Sequence, residues 1–237
     1  MASHILLTEL NLPFTTSRMA AGPDGYEAAD KSFTHADYVR DVHPSGYVPA
    51  LSVDGEVITE NPAILKYIAG LAPERNLLGT TAIQKARVDE WLNWLSGSLH
   101  GSGFGAFWRP SRYTADEGAF KGIQDKGYQT ILACFERIDE RVEGQYAVGK
   151  GLTVADVYLH TFYRWGHLIG VDMSQYTKYG RVAREVEKLD SVRKIMAEEG
   201  EKLYTKYGRV AREVEKLESI RKIMAEEGEK LVFPDGS

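Results

Sequence analysis

The segment from Val48 to Thr59 restricts the possible folds more than any other part of the chain. It reads VPALSVDGEVIT, so two short apolar runs flank the pair Asp54-Gly55. An Asp-Gly pair favours a type I′ turn, in which both central residues have positive φ, and therefore predicts a β-hairpin. Asn61 and Pro62 come next, as the predicted N-cap and the first residue of a helix. The fold must therefore contain a strand pair that leads into a helix.

The residues around this segment mix helix and strand patterns. Ser3 is expected to cap a helix that ends before Pro13. Phe14 to Met19 is expected to form a strand, and Thr34 to Val42 a short helix. Residues 1–75 are therefore predicted to be a small α/β domain.

The chain from residue 82 onward shows helical periodicity only. Apolar residues recur at helical spacing between Trp91 and Leu99 and between Phe120 and Val142. A helix break is expected at the glycine-rich run from Gly101 to Gly105. Thr153 to Asp156 forms a capping-box variant at the start of a further helix. Residues 82–203 are therefore predicted to form an all-α domain.

Composition and charge exclude several classes of function. The net charge is −5, so no basic surface for nucleic acid or anionic lipid is expected. The single cysteine excludes an intramolecular disulfide framework, and no two of the six histidines have the spacing of a zinc-binding helix. The uncharged stretch from Trp91 to Trp108 is too polar and too rich in glycine to cross a membrane. We therefore expect a cytoplasmic protein without a metal site, a membrane partner or a nucleic-acid partner.

A 28-residue segment occurs twice towards the C-terminal end. Residues 176–203 and 204–231 agree at 26 of 28 positions. The two differences are Asp190/Glu218 and Val192/Ile220. Two near-identical copies are too few for a solenoid, which usually needs about three or more repeats. Each copy predicts two amphipathic helices, and we expect one copy to pack in the core and the other to be added length.

Two residue pairs carry most of the chemical interest. A proline that opens a strand at a tight turn favours a cis bond, and cis-Pro49 would leave the N–H and C=O of Val48 open to an extended ligand; an ordinary edge-strand proline is the alternative. Glu60 offers a carboxylate, and the helix start at Asn61 offers N–H groups, so the pair suits a zwitterion. A capped helix without a ligand is the alternative for this pair.

In their order along the chain, these motifs resemble the glutathione transferase family. Val-Pro-Ala-Leu at 48–51, the hairpin, Glu60-Asn61 and Ala-Ile-Leu-Lys-Tyr-Ile at 63–68 look like its glutathione-binding domain. Thr153 to Asp156 looks like its N-capping box, and the likeness is greatest to the beta class and its fungal relatives. The resemblance implies a thioredoxin-like N-terminal domain, a helical C-terminal domain, glutathione as the co-substrate and a homodimer.

The resemblance also assigns a glutathione-binding role to individual residues. Val48 would pair its backbone with the cysteinyl part of glutathione, beside cis-Pro49. Glu60 and Asn61 would hold the γ-glutamyl end. Tyr47 stands where a longer polar side chain often reaches the glycyl carboxylate, so this contact departs from the family pattern.

The helical half contributes candidate residues for the other side of the site. By the same resemblance, Asn93 and His100 would face the thiol or the electrophilic co-substrate. Six aromatic residues are expected either to line an apolar co-substrate pocket or to belong to the core. They are Phe104, Phe107, Trp108, Tyr158, Phe162 and Trp165.

The start of the chain departs from the family pattern. Relatives have a strand and a Pro/Gly/Ser turn before the helix that the first residues of this chain already match. Residues 230–237, KLVFPDGS, show that strand-and-turn pattern. A circular permutation or a strand-swapped dimer would pair Leu231 to Phe233 beside Ala50 to Val53, and a tail on a truncated chain is the alternative. Ser237, or as second choice Ser3, would then donate a hydrogen bond to the glutathione thiolate.

Two classes of function follow from the resemblance. The first is a glutathione-dependent enzyme, which either adds the thiolate to a small apolar electrophile or isomerises a conjugated double bond of a polyene by addition and elimination. The second is a non-catalytic interaction module of the same fold, which the displaced strand and the unusual Glu60-Asn61 pair favour.

Overall fold

A computed structural model describes residues 1–22 and 24–198 of the 237-residue chain. Contacts within the chain divide these residues into two compact units. The helical unit comprises Met1–Pro13 and residues 61–198. The hairpin unit comprises residues 14–22 and 24–60. The second repeat copy and the C-terminal segment 230–237 lie outside the described residues.

The elements are numbered in chain order. They are α1 (Ala2–Glu9), β1 (Met19–Gly22), β2 (Gly25–Ala28), α2 (His35–Asp41), β3 (Leu51–Val53), β4 (Glu56–Ile58), α3 (Asn61–Gly70), α4 (Ala82–Trp94), a π-helical segment (Leu95–Gly105), α5 (Ala106–Trp108), α6 (Phe120–Arg141), α7 (Val154–Leu168), α8 (Thr177–Glu187) and α9 (Asp190–Glu198).

The hairpin predicted at Asp54-Gly55 is confirmed. Asp54 has φ 51° and Gly55 has φ 86°, so both central residues adopt the positive φ that a type I′ turn requires. The turn joins β3 to β4 as an antiparallel pair in which Leu51 lies opposite Ile58. Among the described residues, β1 and β2 form a second antiparallel pair.

The strand predicted at Phe14 to Met19 is wrong. Residues 14–18 are exposed and have no regular structure, and the strand that does form, β1, starts at Met19 and pairs with β2. Because residues 14–18 bury no face, the apolar residues at the two ends of this stretch gain nothing from strand geometry. The short helix predicted next is confirmed as α2, where Thr34 and Asp37 form a reciprocal capping box.

The predicted N-cap of α1 is also wrong. Ser3 lies inside the helix, and Met1 precedes it without a side-chain capping hydrogen bond. Helix α3 begins at Asn61 itself, one residue before the position predicted from an N-cap at Asn61. A difference of one residue at a helix end is within the usual variation of such boundaries.

The helical unit is held together by a core that runs through α1, α3, α6, α7, α8 and α9. Its fully buried members include Ile5, Leu65, Phe135, Phe162 and Val186. The capping box predicted at the start of α7 is confirmed, because the buried Asp156 carboxylate accepts hydrogen bonds from the Thr153 amide at 2.7 Å and the Thr153 hydroxyl at 2.8 Å. Burial raises the pKa of Asp156 to about 6.

The first repeat copy forms the two helices that its pattern predicts, α8 and α9. The α8 stripe of Val182 and Val186 is fully buried, and so is the α9 stripe of Val192 and Ile195. These helices therefore contribute buried side chains to the core of the helical unit.

Candidate functional site

The candidate glutathione residues Tyr47 to Pro49 lie on an exposed loop of the hairpin unit. The Val48-Pro49 peptide bond is cis, as one of the two alternatives from the sequence predicts. Tyr47 is 44% exposed and Val48 is 39% exposed, so solvent reaches both residues. The loop is tied to α2 because the buried Tyr38 donates a hydrogen bond from its hydroxyl to the Tyr47 carbonyl oxygen at 2.7 Å.

A glycine lets this loop pass close to α2. Gly46 has φ 67°, and a Cβ atom there would lie 2.6 Å from Cε1 of His35. Any side chain at this position would therefore be strained in backbone conformation and would also collide with the imidazole. His35 in turn lies 3.0 Å through Nδ1 from the Tyr26 carbonyl oxygen, so the loop rests on a fixed ring.

The register of the second hairpin places Glu60 near this loop. Leu51 lies opposite Ile58, so the residues that precede β3 and those that follow β4 meet at the same end of the hairpin. Glu60 is exposed and has φ 66°, a conformation that is uncommon for a residue other than glycine.

Asn61, Asn93, His100 and Ser3 belong to the helical unit. Asn61 is half-buried at the start of α3, and Ser3 is half-buried within α1. Asn93 is exposed near the end of α4 and donates from Nδ2 to the Asp89 carbonyl oxygen at 2.8 Å. Ser237 lies outside the described residues.

The helix break predicted at Gly101 to Gly105 is wrong, because these residues continue the π-helical segment that carries His100. Two side-chain hydroxyls donate hydrogen bonds to carbonyl oxygens of this segment. The Ser102 hydroxyl donates to the Gly97 oxygen at 3.2 Å, and the Tyr113 hydroxyl donates to the Gly101 oxygen at 2.7 Å. The wider i→i+5 winding removes the seven-residue repeat that would place Asn93 and His100 on one face of an α-helix. Short π-helical turns occur frequently at functional sites.

An aromatic cluster lies below the exposed His100. The His100 ring centroid is 5.7 Å from that of Trp165 and 6.1 Å from that of Phe162. Phe104 and Phe162 are fully buried, whereas Trp108 and Trp165 are half-buried. The predicted aromatic set therefore divides: its phenylalanines at 104 and 162 are core residues, and its two tryptophans are accessible in part. Phe107 and Tyr158 are buried as well.

Two surface cavities of about 410 Å³ each lie elsewhere on the helical unit. One is lined by Trp94, Cys134 and Arg137, and the other by Arg87 and Arg141 among others. Neither contains a residue that the sequence assigns to the site. Burial raises the pKa of the Cys134 thiol to about 11, so this cysteine stays protonated at neutral pH and is a poor nucleophile.

Two further observations bear on the classes of function considered from composition. No helix among residues 1–22 and 24–198 is both long and apolar enough to cross a membrane. In the same residues, no three His, Cys, Asp or Glu side chains gather in a way that could hold a metal ion.

Comparison with known proteins identifies the family. The model of the glutathione S-transferase N-terminal domain matches residues 2–71. Glutathione S-transferase GST-4.5 of Xanthomonas campestris is 32% identical over 176 residues, which are 73% of this chain and 81% of that protein. The chain belongs to the glutathione S-transferase family.

Solved structures of glutathione S-transferases agree with this assignment. A bacterial beta-class glutathione S-transferase from Sphingomonas chungbukensis has a TM-score of 0.70 at 29% identity and covers 84% of this chain and 93% of its own. A sphingomonad glutathione S-transferase in complex with glutathione has a TM-score of 0.69 at 28% identity, with the same coverage. The fold is thus a thioredoxin-like N-terminal domain with a helical C-terminal domain, and glutathione is the family's co-substrate.

One relative differs in the reaction that its name gives. The probable maleylacetoacetate isomerase 1 of Drosophila melanogaster is 24% identical over 165 residues, which are 66% of this chain and 62% of that protein. The family name therefore covers both transferases and isomerases among the relatives of this chain.

The sequence does not single out three residues that contact the candidate site segments. Tyr38 and His35 support the loop of Tyr47 to Pro49, and Tyr113 binds the π-helical segment that carries His100. Tyr38 is the buried residue of the short helix α2, and a large aromatic side chain there is the signal that could have found it. Tyr113 gives no such signal, because its partner Gly101 lies twelve residues away in a segment of unusual winding.

Proposed function

We propose that this glutathione transferase joins the glutathione thiolate to a small apolar electrophile. The observation that carries the proposal is the β3–β4 register, which brings the exposed Val48-Pro49 loop and the exposed Glu60 to one end of a hairpin. A loop backbone and a carboxylate at the same end of one hairpin suit a short peptide that carries a free ammonium group.

Each glutathione-binding residue has a separate role in this proposal. Val48 pairs its N–H and C=O with the cysteinyl residue, as an added strand would. The Glu60 carboxylate accepts hydrogen bonds from the γ-glutamyl ammonium, and the N-terminus of α3 at Asn61 attracts the γ-glutamyl carboxylate. Tyr47, which is 44% exposed, is the residue that we assign to the glycyl carboxylate.

Activation of the thiol needs a hydrogen-bond donor near the sulfur. We assign this role to Ser237, with Ser3 as the second choice, because a hydroxyl that donates to the thiolate lowers the pKa of the thiol. The thiol proton leaves to solvent, the thiolate forms a C–S bond at the electrophilic carbon, and the leaving group departs with the electron pair.

The helical unit contributes the residues that face the co-substrate. His100 and Asn93 are both exposed, and the half-buried Trp108 and Trp165 lie in the aromatic cluster below His100. Rings that are open in part suit an apolar co-substrate, and an exposed imidazole suits a polar group on the same molecule.

Double-bond isomerisation is a second candidate, favoured by the isomerase relative. In that reaction the thiolate adds to one carbon of a conjugated double bond, the resulting single bond rotates, and elimination regenerates glutathione. The two reactions differ in stoichiometry: conjugation consumes one thiol per turnover, and isomerisation consumes none. Titration of free thiol during turnover of an electrophile and of a conjugated cis-diacid therefore distinguishes them.

The arrangement of the chain is a further part of the proposal. We assign residues 1–75 to the glutathione-binding domain, 82–203 to the helical domain and 204–231 to the duplicated segment, in a homodimer. Residues 230–237 supply the first strand of the sheet, in the same chain or in the partner subunit. If so, removal of residues 231–237 abolishes retention on glutathione resin, whereas a mere tail can be removed without loss.

Replacement of Glu60 tests the proposed site. We expect Glu60→Gln to raise KM for glutathione about 10-fold to 100-fold in a chlorodinitrobenzene conjugation assay, because a hydrogen bond to a charged group contributes about 1.5–3 kcal/mol. Glu56→Gln, an exposed carboxylate on β4 of the same hairpin, is the matched control and leaves KM unchanged. Equal effects of the two substitutions would refute the assignment.

The same assay distinguishes the enzyme from the non-catalytic interaction module. A module binds glutathione in a Glu60-dependent manner but gives no turnover with electrophile or conjugated diacid. Turnover that depends on Glu60 excludes it.

A further inference from the structure

The first repeat copy packs against α1, α6 and α7, and this packing position has well-defined chemical requirements. Helices α8 and α9 press Tyr179, Val182, Val186 and Ile195 into the helical unit with no exposed surface. Burying such side chains is the main favourable term in folding, so this place selects for apolar groups at this spacing. Any segment with the same groups at the same spacing meets the same requirement.

The first copy is also fixed by hydrogen bonds to its neighbours. The Tyr179 hydroxyl donates to the Leu159 carbonyl oxygen at 2.7 Å, and the Tyr179 amide donates to Asp139 Oδ1 at 2.8 Å. The Ser191 hydroxyl donates to Glu9 Oε2 at 2.7 Å. The second copy carries the same donors at Tyr207 and Ser219.

The two differences between the copies fall where they cost little. The side chain of Asp190 is 95% exposed and pairs at 2.8 Å with Arg193, and the second copy keeps both an acid at Glu218 and the arginine at Arg221. Val192 is fully buried, and the isoleucine that replaces it in the second copy adds one methylene to a packed region, which disfavours the second copy modestly. The second copy therefore lacks no group that the site uses.

We propose that residues 204–231 compete with residues 176–203 for this one place against α1, α6 and α7, within the same chain. When the second copy enters, the 28 residues of the first copy leave as a loop between Gln175 and Tyr204. The entropy of closing a loop scales with the three-halves power of its length, so 28 residues disfavour the exchanged state roughly 150-fold. The exchanged state of the unmodified chain therefore amounts to about 1% or less.

This exchange limits how far a substitution in the first copy can lower the folding equilibrium constant. A substitution that weakens its packing by more than roughly 150-fold gives the place to the second copy, and any further weakening has no effect. Without exchange, the folding equilibrium constant falls by the full factor by which the substitution weakens the packing of the first copy, and there is no such limit.

Matched double substitutions test this limit. The first-copy variant is Tyr179→Ala with Val186→Ala, the second-copy variant is Tyr207→Ala with Val214→Ala, and a third variant combines all four. Deletion of two buried side chains is expected to lower the folding equilibrium constant by about 10⁴-fold or more when no intact copy can take the place of the altered one. Urea unfolding of the full-length chain measures each constant.

Exchange predicts three distinct results. The second-copy variant is as stable as the unmodified chain, the first-copy variant loses only about 10²-fold to 10³-fold, and the combined variant loses the full 10⁴-fold or more. A first-copy variant as unstable as the combined variant overturns the proposal. Stability of the first-copy variant that rises with protein concentration overturns it too, because it shows that another molecule supplies the second copy.

Hydrogen exchange gives an independent measurement that does not need complete unfolding. In the first-copy variant, slow amide exchange moves from peptides that contain Asp190 to peptides that contain Glu218, which differ in mass. Slow exchange that stays with Asp190, or that is lost from both copies, contradicts the proposal.

Discussion

The helical unit and the hairpin unit hold their shapes by different means. The helical unit buries whole aromatic and aliphatic side chains, such as Phe104, Phe162 and Tyr179. Among the described residues of the hairpin unit only four are buried: Ala28, Tyr38, His43 and Gly46. Turn geometry, a capping box and single hydrogen bonds set its conformation instead. One unit therefore depends on burial, and the other leaves the Val48 loop and the Glu60 carboxylate exposed.

Matched phenylalanine substitutions test this comparison with the largest expected effect. Phe162→Ala in the helical unit should lower the free energy of unfolding by about 3–5 kcal/mol, because it removes a fully buried ring. Phe14→Ala in the hairpin unit removes a ring that is 37% exposed and should cost about 1 kcal/mol or less. Urea unfolding measures both, and equal losses would contradict the comparison.

Acid should weaken the helical unit through His160. This side chain is fully buried, with Glu187 Oε1 at 3.5 Å from Nε2 and Arg164 one turn away on α7, and burial lowers its pKa below 6.5. The unfolded chain thus binds the proton first, so the contribution of His160 to stability is complete above about pH 6.5 and declines below it, whereas the raised pKa of Asp156 acts in the opposite direction. His160→Leu should reduce the fall in the urea midpoint between pH 7.5 and pH 5.5. An undiminished fall would show that other groups cause it.

A smaller effect is expected where one hydrogen bond supports the glutathione loop. Tyr38→Phe removes the donor to the Tyr47 carbonyl oxygen and should lower stability by about 0.5–1.5 kcal/mol. Because that bond fixes the loop before Val48, glutathione should also bind more weakly, by roughly the same free energy. Calorimetric titration with glutathione measures this, and an unchanged Kd would mean that the loop does not need the bond.

The smallest effect is expected at the exposed hydroxyl of Tyr113. Tyr113→Phe removes the donor to the Gly101 carbonyl oxygen and should cost about 0.5 kcal/mol or less, since water can replace an exposed donor. If the π-helical segment positions His100, KM for the electrophile rises while KM for glutathione stays constant. A change in KM for glutathione alone would show that Tyr113 does not act on the binding of the electrophile.

The sequence predicts well those parts whose causes are local. The Asp54-Gly55 turn, the capping boxes at Thr34 and Thr153 and the amphipathic stripes of the first repeat copy are each determined within a few residues. In each case the side chain that fixes the backbone is itself part of the pattern.

The elements that were not predicted depend on partners far along the chain. The π-helical segment has Tyr113 on the Gly101 carbonyl and Gly127 of α6 close enough that a Cβ atom there would lie 2.9 Å from the Gly103 oxygen. Residues 14–18 were mistaken for a strand because apolar residues at the ends of a stretch do not show whether a sheet face is there to receive them. Such distant determinants leave no periodicity in the sequence.

Hydrogen exchange with and without glutathione tests the central claim most directly, that residues 47–49 and 60–61 hold the tripeptide. Saturating glutathione should slow amide exchange in peptides that cover residues 47–62 and leave the core helix α7 unchanged. No slowing there, or slowing confined to the cavity beside Trp94 and Cys134, would contradict the account.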